Sequence, residues 1–427
     1  MLITQDKITT SFDIAWVRAQ FPSLAQTVNG HPVAFLDGPG GTQVPQRVMN
    51  AIHEYLTQSN ANTGGAYVTS RRTDAMIAGA RAAMADFLGS DADEIVFGPN
   101  MTTLTFALSR SIGRRLGPGD EIVVTHLDHD ANISPWRALE EKGVTLRFVE
   151  INPSDCTLDL DDMARKITGK TRVVAVGYAS NAVGTINDVK EIVRLGHAAG
   201  AMVYIDAVHY APHGPIDVRE LDCDFLACST YKFFGPHMGV LYGKRDLLQQ
   251  LTPYKVRALT NDTPFRWEMG TLNHELIAGI TFCVEYLADL GRQANPGVNS
   301  SAWSRKHAVR AAYKAIQPYE HSLMERLLRS LTMLPGVTVY GITDPKRFDR
   351  RAPTIALRRD GHTPLQLANL LGERGLFTWD GNYYALNLTE RLDVEKTGGF
   401  LRIGLVHYNT QEEVDRLLAA MTDIIRL

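Results

Sequence analysis

Lys232 lies in the stretch STYKFFGP, where Tyr231, Phe233 and Phe234 are its neighbours, directly after the apolar run FLACST (225–230). A core and aromatic rings disfavour an ammonium ion, and the same desolvation makes the free amine nucleophilic. A lysine so placed forms Schiff bases with carbonyl compounds; the alternative is a side chain that packs its stem and exposes its head. Three further sites repeat the pattern of polar residues after an apolar run. AMVYIDA (201–207) ends in Asp206, with His209 three residues on. A carboxylate there requires a cation or a strong donor, such as a protonated heterocyclic nitrogen, unless it caps the next turn. EIVVTHL (121–127) leads into DHDANISPW, which places His129 between Asp128 and Asp130 and shortly after His126. This is an imidazole to stack on a flat ligand or an ordinary loop histidine; zinc would need a third or fourth ligand, and no further His or Cys is close in sequence. EIVFG (94–98) leads into GPNMTTLTF, putting Thr102 and Thr103 at the start of a helix. The free N–H groups there suit a phosphate, with a cap by Asn100 or a threonine as the simpler reading.

A phosphate cradle, a group for stacking, a carboxylate for a ring nitrogen and an amine for an aldehyde together match pyridoxal 5'-phosphate. These residues require elements that bring them to one edge. The apolar runs named above, with TLRFVEI (145–151) and RVVAVGYA (172–179), alternate with helical stretches, which predicts an α/β fold with a mostly parallel sheet. In such a sheet the ligand crevice lies beyond the carboxyl ends of the strands, where all four sites fall. GVLYGKR (239–245) follows FLACST too closely for a crossover, so one antiparallel edge strand is expected. Near residue 290 the stretch LGRQANPGVNSSAW breaks the pattern. A long helix from 305 to 331, kinked or broken at Pro318, then precedes strands VTVYG (337–341), TIALRR (354–359) and FLRIGLV (400–406) and a final amphipathic helix. The reading is a large domain over 17–290 and a smaller α+β domain formed by 1–16 and 291–427.

The chain has 427 residues, 44% of them hydrophobic, enough for a large core without disulfide staples. With 44 basic and 47 acidic residues the net charge is -3, which argues against nucleic acid as a partner. No apolar run approaches the length of a membrane span and MLITQDKITTSFD has no leader pattern, so a cytoplasmic protein with no membrane partner is expected. Cys156, Cys223, Cys228 and Cys283 form no disulfide framework and read as reduced thiols, with Cys156 alone in an expected loop.

With FLDGPGGTQVP (35–45), MTT, DHDANISPW, SNAVGTI, DAVH, STYKFFGP, MGTLN and LRIGLVHYNTQEEVDRLL (401–418) in this order, the sequence resembles the class V aminotransferases. These are fold-type I pyridoxal-phosphate enzymes, and the likeness is strongest to their cysteine desulfurase-like branch. The resemblance implies a seven-stranded sheet in the large domain, and it implies roles for single residues. Lys232 forms the Schiff base, Asp206 pairs with the pyridine N–H and His129 stacks on the ring, the three catalytic positions. Thr102, Thr103 and Ser229 match phosphate-binding positions, and Thr271 in MGTLN matches one that reaches the phosphate of the partner subunit, so a homodimer is implied. Asn181 contacts cofactor or substrate, and Arg402 binds the substrate carboxylate, a task suited to a guanidinium.

Desulfurases have a glutamine where this chain has His209 and a histidine where it has Tyr231, which alters cofactor contacts. They also need a loop cysteine before the carboxylate-binding arginine; here the stretch reads FTWDGNYYALNLTERL, with Tyr384 or a neighbour at that position. The expectation is therefore a lyase-type enzyme acting on a small L-amino acid through an external aldimine. The reaction would be β-elimination, carbon–sulfur cleavage or loss of a β-substituent, with Tyr383 or Tyr384 near the leaving group. The alternatives are an aminotransferase or epimerase, a cysteine desulfurase proper, which the missing cysteine disfavours, and a cofactor-binding partner without turnover. No metal site is expected.

Overall fold

The computed structural model describes residues 12–296 and 299–426; residues 1–11, assigned above to the smaller domain, lie outside the described residues. The main sheet is built from β1 (Ile95–Gly98), β2 (Glu121–Thr125), β3 (Thr145–Val149), β4 (Thr171–Gly177), β5 (Met202–Asp206), β6 (Phe225–Ser229) and β7 (Gly239–Gly243). Among the described residues it has seven strands in the order β1-β7-β6-β5-β4-β2-β3. Strands β2 to β6 run parallel to one another, as expected for apolar runs covered by helices on both faces. Every residue of β1, β2, β6 and β7 is buried.

The antiparallel strand β7 is not the edge strand expected from its short connection. It pairs with β6 on one side and β1 on the other, and β1 forms the edge. A connection too short for a crossover dictates the direction of a strand but leaves its other side open, and β1 fills it. Gly239 makes the fit possible. A Cβ there would fall 2.3 Å from the carbonyl carbon of Asn100, so only glycine lets the start of helix α1 (Met101–Ile112) pass over the strand.

The second sheet contains β8 (Val337–Tyr340), β9 (Thr354–Arg359), β10 (Trp379–Gly381) and β11 (Phe400–Gly404), antiparallel in the order β8-β9-β11-β10. The three-residue β10 was not anticipated, because it is too short to show an alternating pattern. Helix α2 (Arg305–Leu331) continues through Pro318 and is not broken there. Tertiary packing holds it on both sides of the proline. Ala308, Ala312 and Ile316 join the core under the main sheet, while Leu323, Leu327 and Leu331 join a second core with Ile355, Leu401 and Ile403. The last helix, α3 (Gln411–Arg426), lays Val414, Leu417, Met421 and Ile424 into that second core, as its spacing predicts.

Candidate active site

The carboxyl ends of β2, β4, β5 and β6 open into a cavity of about 190 Å³, closed from the other side by the second sheet. It gathers Thr102, His129, Asn181, Asp206, His209, Tyr231, Lys232, Tyr383, Tyr384 and Arg402 from sequence positions three hundred residues apart.

Asp206 is 7% exposed at the end of β5, where its Oδ1 accepts from the Val208 N–H at 2.9 Å and its other oxygen has no partner among the described residues. Burial raises its carboxyl to about 6, opposed by that N–H and by the charge of Lys232. Lys232 is held down to about 7, first by burial and next by Arg402, while Asp206 and Asp37 pull it upward. Its Nζ donates to the carbonyls of Pro39 at 2.5 Å and Gly40 at 3.0 Å and stands 4.8 Å from the centre of the Tyr231 ring. The amine is thus far easier to deprotonate than an ordinary lysine, and its hydrogen-bond partners are two backbone carbonyls. His129 accepts on Nδ1 from the Ala131 N–H at 3.0 Å, which places its hydrogen on Nε2, and burial pushes it down to about 4. It is a neutral ring 5.3 Å from Tyr384.

At the edge of the cavity Asn100 caps α1, accepting from the Thr103 N–H at 2.8 Å and its hydroxyl at 3.0 Å. The simpler reading of this turn, a cap by Asn100, is therefore present. Thr102 and Thr103 also line a shallow recess with Tyr231 and His237, which adjoins the cavity. Ser229 lies beneath it, its hydroxyl accepting from the Met101 N–H at 3.1 Å. Thr271 is not in this cavity. It lines a separate one with Arg81, Phe265 and Glu268, on a segment held to β1 by the buried pair of Arg81 and Glu268 at 2.7 Å and 3.0 Å.

Arg402 enters from β11. Its Nη1 donates to the Asn181 carbonyl at 3.0 Å, its guanidinium lies 4.1 Å from the centre of the Tyr383 ring, and its Nε is buried without a partner. Asn181 donates to the Tyr383 carbonyl at 2.9 Å and leaves its own Oδ1 unpartnered. The two tyrosines differ. Tyr383 is 8% exposed and its hydroxyl donates to the carbonyls of Phe400 and Trp379. Tyr384 is 71% exposed at the mouth. Both have positive φ, 56° and 60°, a conformation that costs of the order of 1 kcal/mol or more for each residue with a side chain. The turn is held by the Tyr384 carbonyl, which accepts from the Asp130 N–H at 2.7 Å.

The cavity also contains residues to which the sequence reading gave no role. Asp128 accepts from the Thr125 hydroxyl at 2.5 Å and from Asn132 at 3.3 Å, and burial next to Asp206 raises its carboxyl to about 7. Its signal was its place beside His129. Trp379 reaches the mouth from β10, and Asn187 donates to the Gly177 carbonyl at 2.7 Å. Cys156 lies in a loop, as expected, but is buried there, and burial pushes its thiol up to about 11. It sits at φ 52° in the turn between two short strands, packed behind Gly341 and Arg351. The other three cysteines are buried as well.

The unmatched groups fit pyridoxal phosphate. A carboxylate with a free oxygen, an amine held near 7, a neutral ring and a helix start surround one space, while an orphaned guanidinium nitrogen is left to donate to the carboxylate of a second molecule and an orphaned amide oxygen to accept from an N–H or O–H. Comparison with known proteins agrees. The aminotransferase class-V family profile matches residues 34–309 and 295–417. A cysteine desulfurase from Pectobacterium atrosepticum is 34% identical over 98% of this chain and 99% of its own, and one from Yersinia pestis is 33% identical with the same coverage. Among solved structures, the apo cysteine desulfurase from Thermococcus onnurineus NA1 superposes with a TM-score of 0.82 at 26% identity, covering 95% of this chain and 98% of that one. The cysteine desulfurase CsdA from Escherichia coli also gives 0.82, at 27% identity, covering 97% and 99%.

Proposed function

The chain belongs to the aminotransferase class-V family of pyridoxal phosphate-dependent enzymes, and from that premise we propose that it is a lyase that removes a β-substituent from a small L-amino acid. Bound in the cleft, pyridoxal phosphate supplies an aldehyde and an electron-withdrawing ring that weakens the bonds at the substrate Cα. The protein decides which bond breaks. Lys232 would hold the aldehyde, and an amine near 7 is suited to move the proton at the substrate Cα. Asp206 would keep the ring nitrogen protonated, His129 would lie against the ring face, and Thr102, Thr103 and Ser229 would hold the phosphate. Arg402 would take the substrate carboxylate and Asn181 would contact cofactor or substrate beside it, with the β-substituent towards the mouth and Tyr384.

The observation that carries this reading is the mouth itself. Tyr384 stands there, and among the described residues, which include all four cysteines, no thiol lines the cavity. Taking up sulfur as a persulfide needs an accessible thiolate, and Cys156, Cys223, Cys228 and Cys283 are all buried with thiols raised above their ordinary value. Cysteine desulfurase activity is the second reading, favoured by relatives of that name at 33–34% identity.

Product analysis with a panel of amino acids separates the readings. The lyase yields keto acid, ammonia and the released group when the β-substituent leaves with its bonding electrons, and a shortened amino acid when it leaves without them, as a carboxylate does as carbon dioxide; an aminotransferase yields keto acid and aminated cofactor, and an epimerase only changes stereochemistry. A persulfide trapped on Cys156 during turnover of cysteine, with turnover lost in Cys156→Ser, would establish the desulfurase instead. A homodimer completes the proposal, with Thr271, remote from its own cleft, serving the cleft of the second copy; Val256, Phe265 and Met269 are exposed beside it. Sedimentation should show a dimer, and a fully active monomer at dilution would refute this part.

A further inference from the structure

His209 has a partner that the rest of the cleft floor lacks. It is 4% exposed, and its Nε2 lies 3.0 Å from Oγ1 of Thr354, the first residue of β9 in the second sheet. Thr354 is fully buried, and among the described residues its hydroxyl has this one hydrogen-bond partner. A buried hydroxyl proton needs an acceptor, and Nε2 is the acceptor within reach. Thr354 therefore donates, Nε2 accepts, and a neutral ring must carry its hydrogen on Nδ1. That nitrogen makes no hydrogen bond to the protein among the described residues.

The surroundings exclude the doubly protonated ring. It would leave the Thr354 hydroxyl without an acceptor, and it would place a positive charge in a buried site near Arg402 and Lys232, where burial first and the neighbouring groups next hold His209 well below its usual range. His213 does not compete for the ring. Its centre is 5.3 Å from that of His209 at 72°, and its Nδ1 is engaged with Glu320 at 2.8 Å.

We infer that Thr354 is a positioning residue, which fixes His209 in the Nδ1–H form so that the imidazole presents a hydrogen-bond donor to pyridoxal phosphate in the cleft. The histidine thereby does the work of a neutral amide, which has a donor in any orientation, but only while the threonine holds it. The donor is tied to the sheet that carries Arg402, since Thr354 and Ala356 of β9 face Gly404 and Arg402 of β11. This inference rests on the reading of the cavity as the cofactor site and is independent of which bond the enzyme breaks.

The test is the pH titration of the Schiff-base absorbance band in the cofactor-loaded protein without substrate. Thr354→Val should move the midpoint by about one unit, the size of a lost hydrogen bond to a charged group, and Thr354→Ser should restore it. Thr354→Ala, which only removes atoms, should agree with Val and guards against failure of the larger change to fold. In His209→Gln the amide donates unaided, so adding Thr354→Val should produce no further shift. A wild-type midpoint in both the Val and Ala variants, or an equal shift in the His209→Gln background, overturns the inference. A wild-type protein with no Schiff-base band would instead refute the cofactor site, and the inference with it.

Discussion

Lys232, Asp206 and His129, on the floor of the cleft, follow strands buried almost throughout, whereas Trp379 and Tyr384, at its mouth, are 50% and 71% exposed on a three-residue strand and the turn after it. The floor shifts the protonation of its groups by burial: Asp206 rises to about 6, Lys232 falls to about 7 and His129 to about 4. The mouth is built differently. It relies on backbone, with Tyr383 and Tyr384 in succession at positive φ and locked by the Asp130 N–H. Charge chemistry needs fixed groups in a dry place, and substrate choice needs surface that can vary without disturbing them. Substitutions on the floor should therefore abolish the reaction, and substitutions at the mouth should only change its rate or selectivity.

The largest expected effect is that of Lys232→Ala, which should remove both the Schiff-base absorbance and all turnover. A borohydride-reducible cofactor in that variant would move the attachment to another lysine. The wild-type amine offers a finer check. Below about 7 its neutral fraction falls tenfold per pH unit, so capture of pyridoxal phosphate by stripped protein should speed up by about tenfold per unit until pH 7 and then level off. A rate that keeps climbing towards pH 10 would describe an ordinary lysine. Asp206→Asn comes next. It should fold, yet lose turnover by roughly 10²-fold or more, the consequence of about 3 kcal/mol lost from a buried charged pair. Near-normal turnover in a cofactor-loaded variant would separate Asp206 from the ring nitrogen.

The same division explains what could be read from the sequence. Apolar runs ending in a polar residue, such as MVYID and FLACS, pointed to Asp206 and Lys232 because burial leaves a charged residue at a strand end unexplained. The direction of β7 was legible from its short connection, but its neighbour β1 was not, since pairing over 140 residues of chain leaves no local trace. Helix α2 defied its proline because packing in two cores outweighs one missing hydrogen bond. Cys156 lies in a turn, as NPSDCTLD suggests, but its burial was not legible, because Gly341 and Arg351 from the distant segment between β8 and β9 lie against it. Asp128 was visible only as a neighbour of His129, and Trp379 belongs to a strand too short to announce itself.

The smallest effects belong to the two tyrosines, and they should differ in kind. The Tyr383 hydroxyl donates to the Phe400 and Trp379 carbonyls and its ring lies against Arg402. Removing the hydroxyl in Tyr383→Phe should cost about 1 kcal/mol, or roughly 1–2 °C in Tm, and should raise KM while kcat holds, because the ring under the carboxylate-binding arginine loosens. Tyr384 has no such engagement: its hydroxyl makes no hydrogen bond among the described residues, and its ring stands 5.3 Å from His129 at the mouth. Tyr384→Phe should leave Tm unchanged and lower kcat by less than about tenfold, since an acid open to solvent competes with water and cannot supply the roughly 10²–10⁴-fold of an enclosed one. A drop of 10³-fold would make Tyr384 a floor residue in all but position, with the leaving group protonated by its hydroxyl alone. No change in kcat, with altered preference across the amino-acid panel, would confine Tyr384 to selecting the substrate and leave protonation of the leaving group to Lys232.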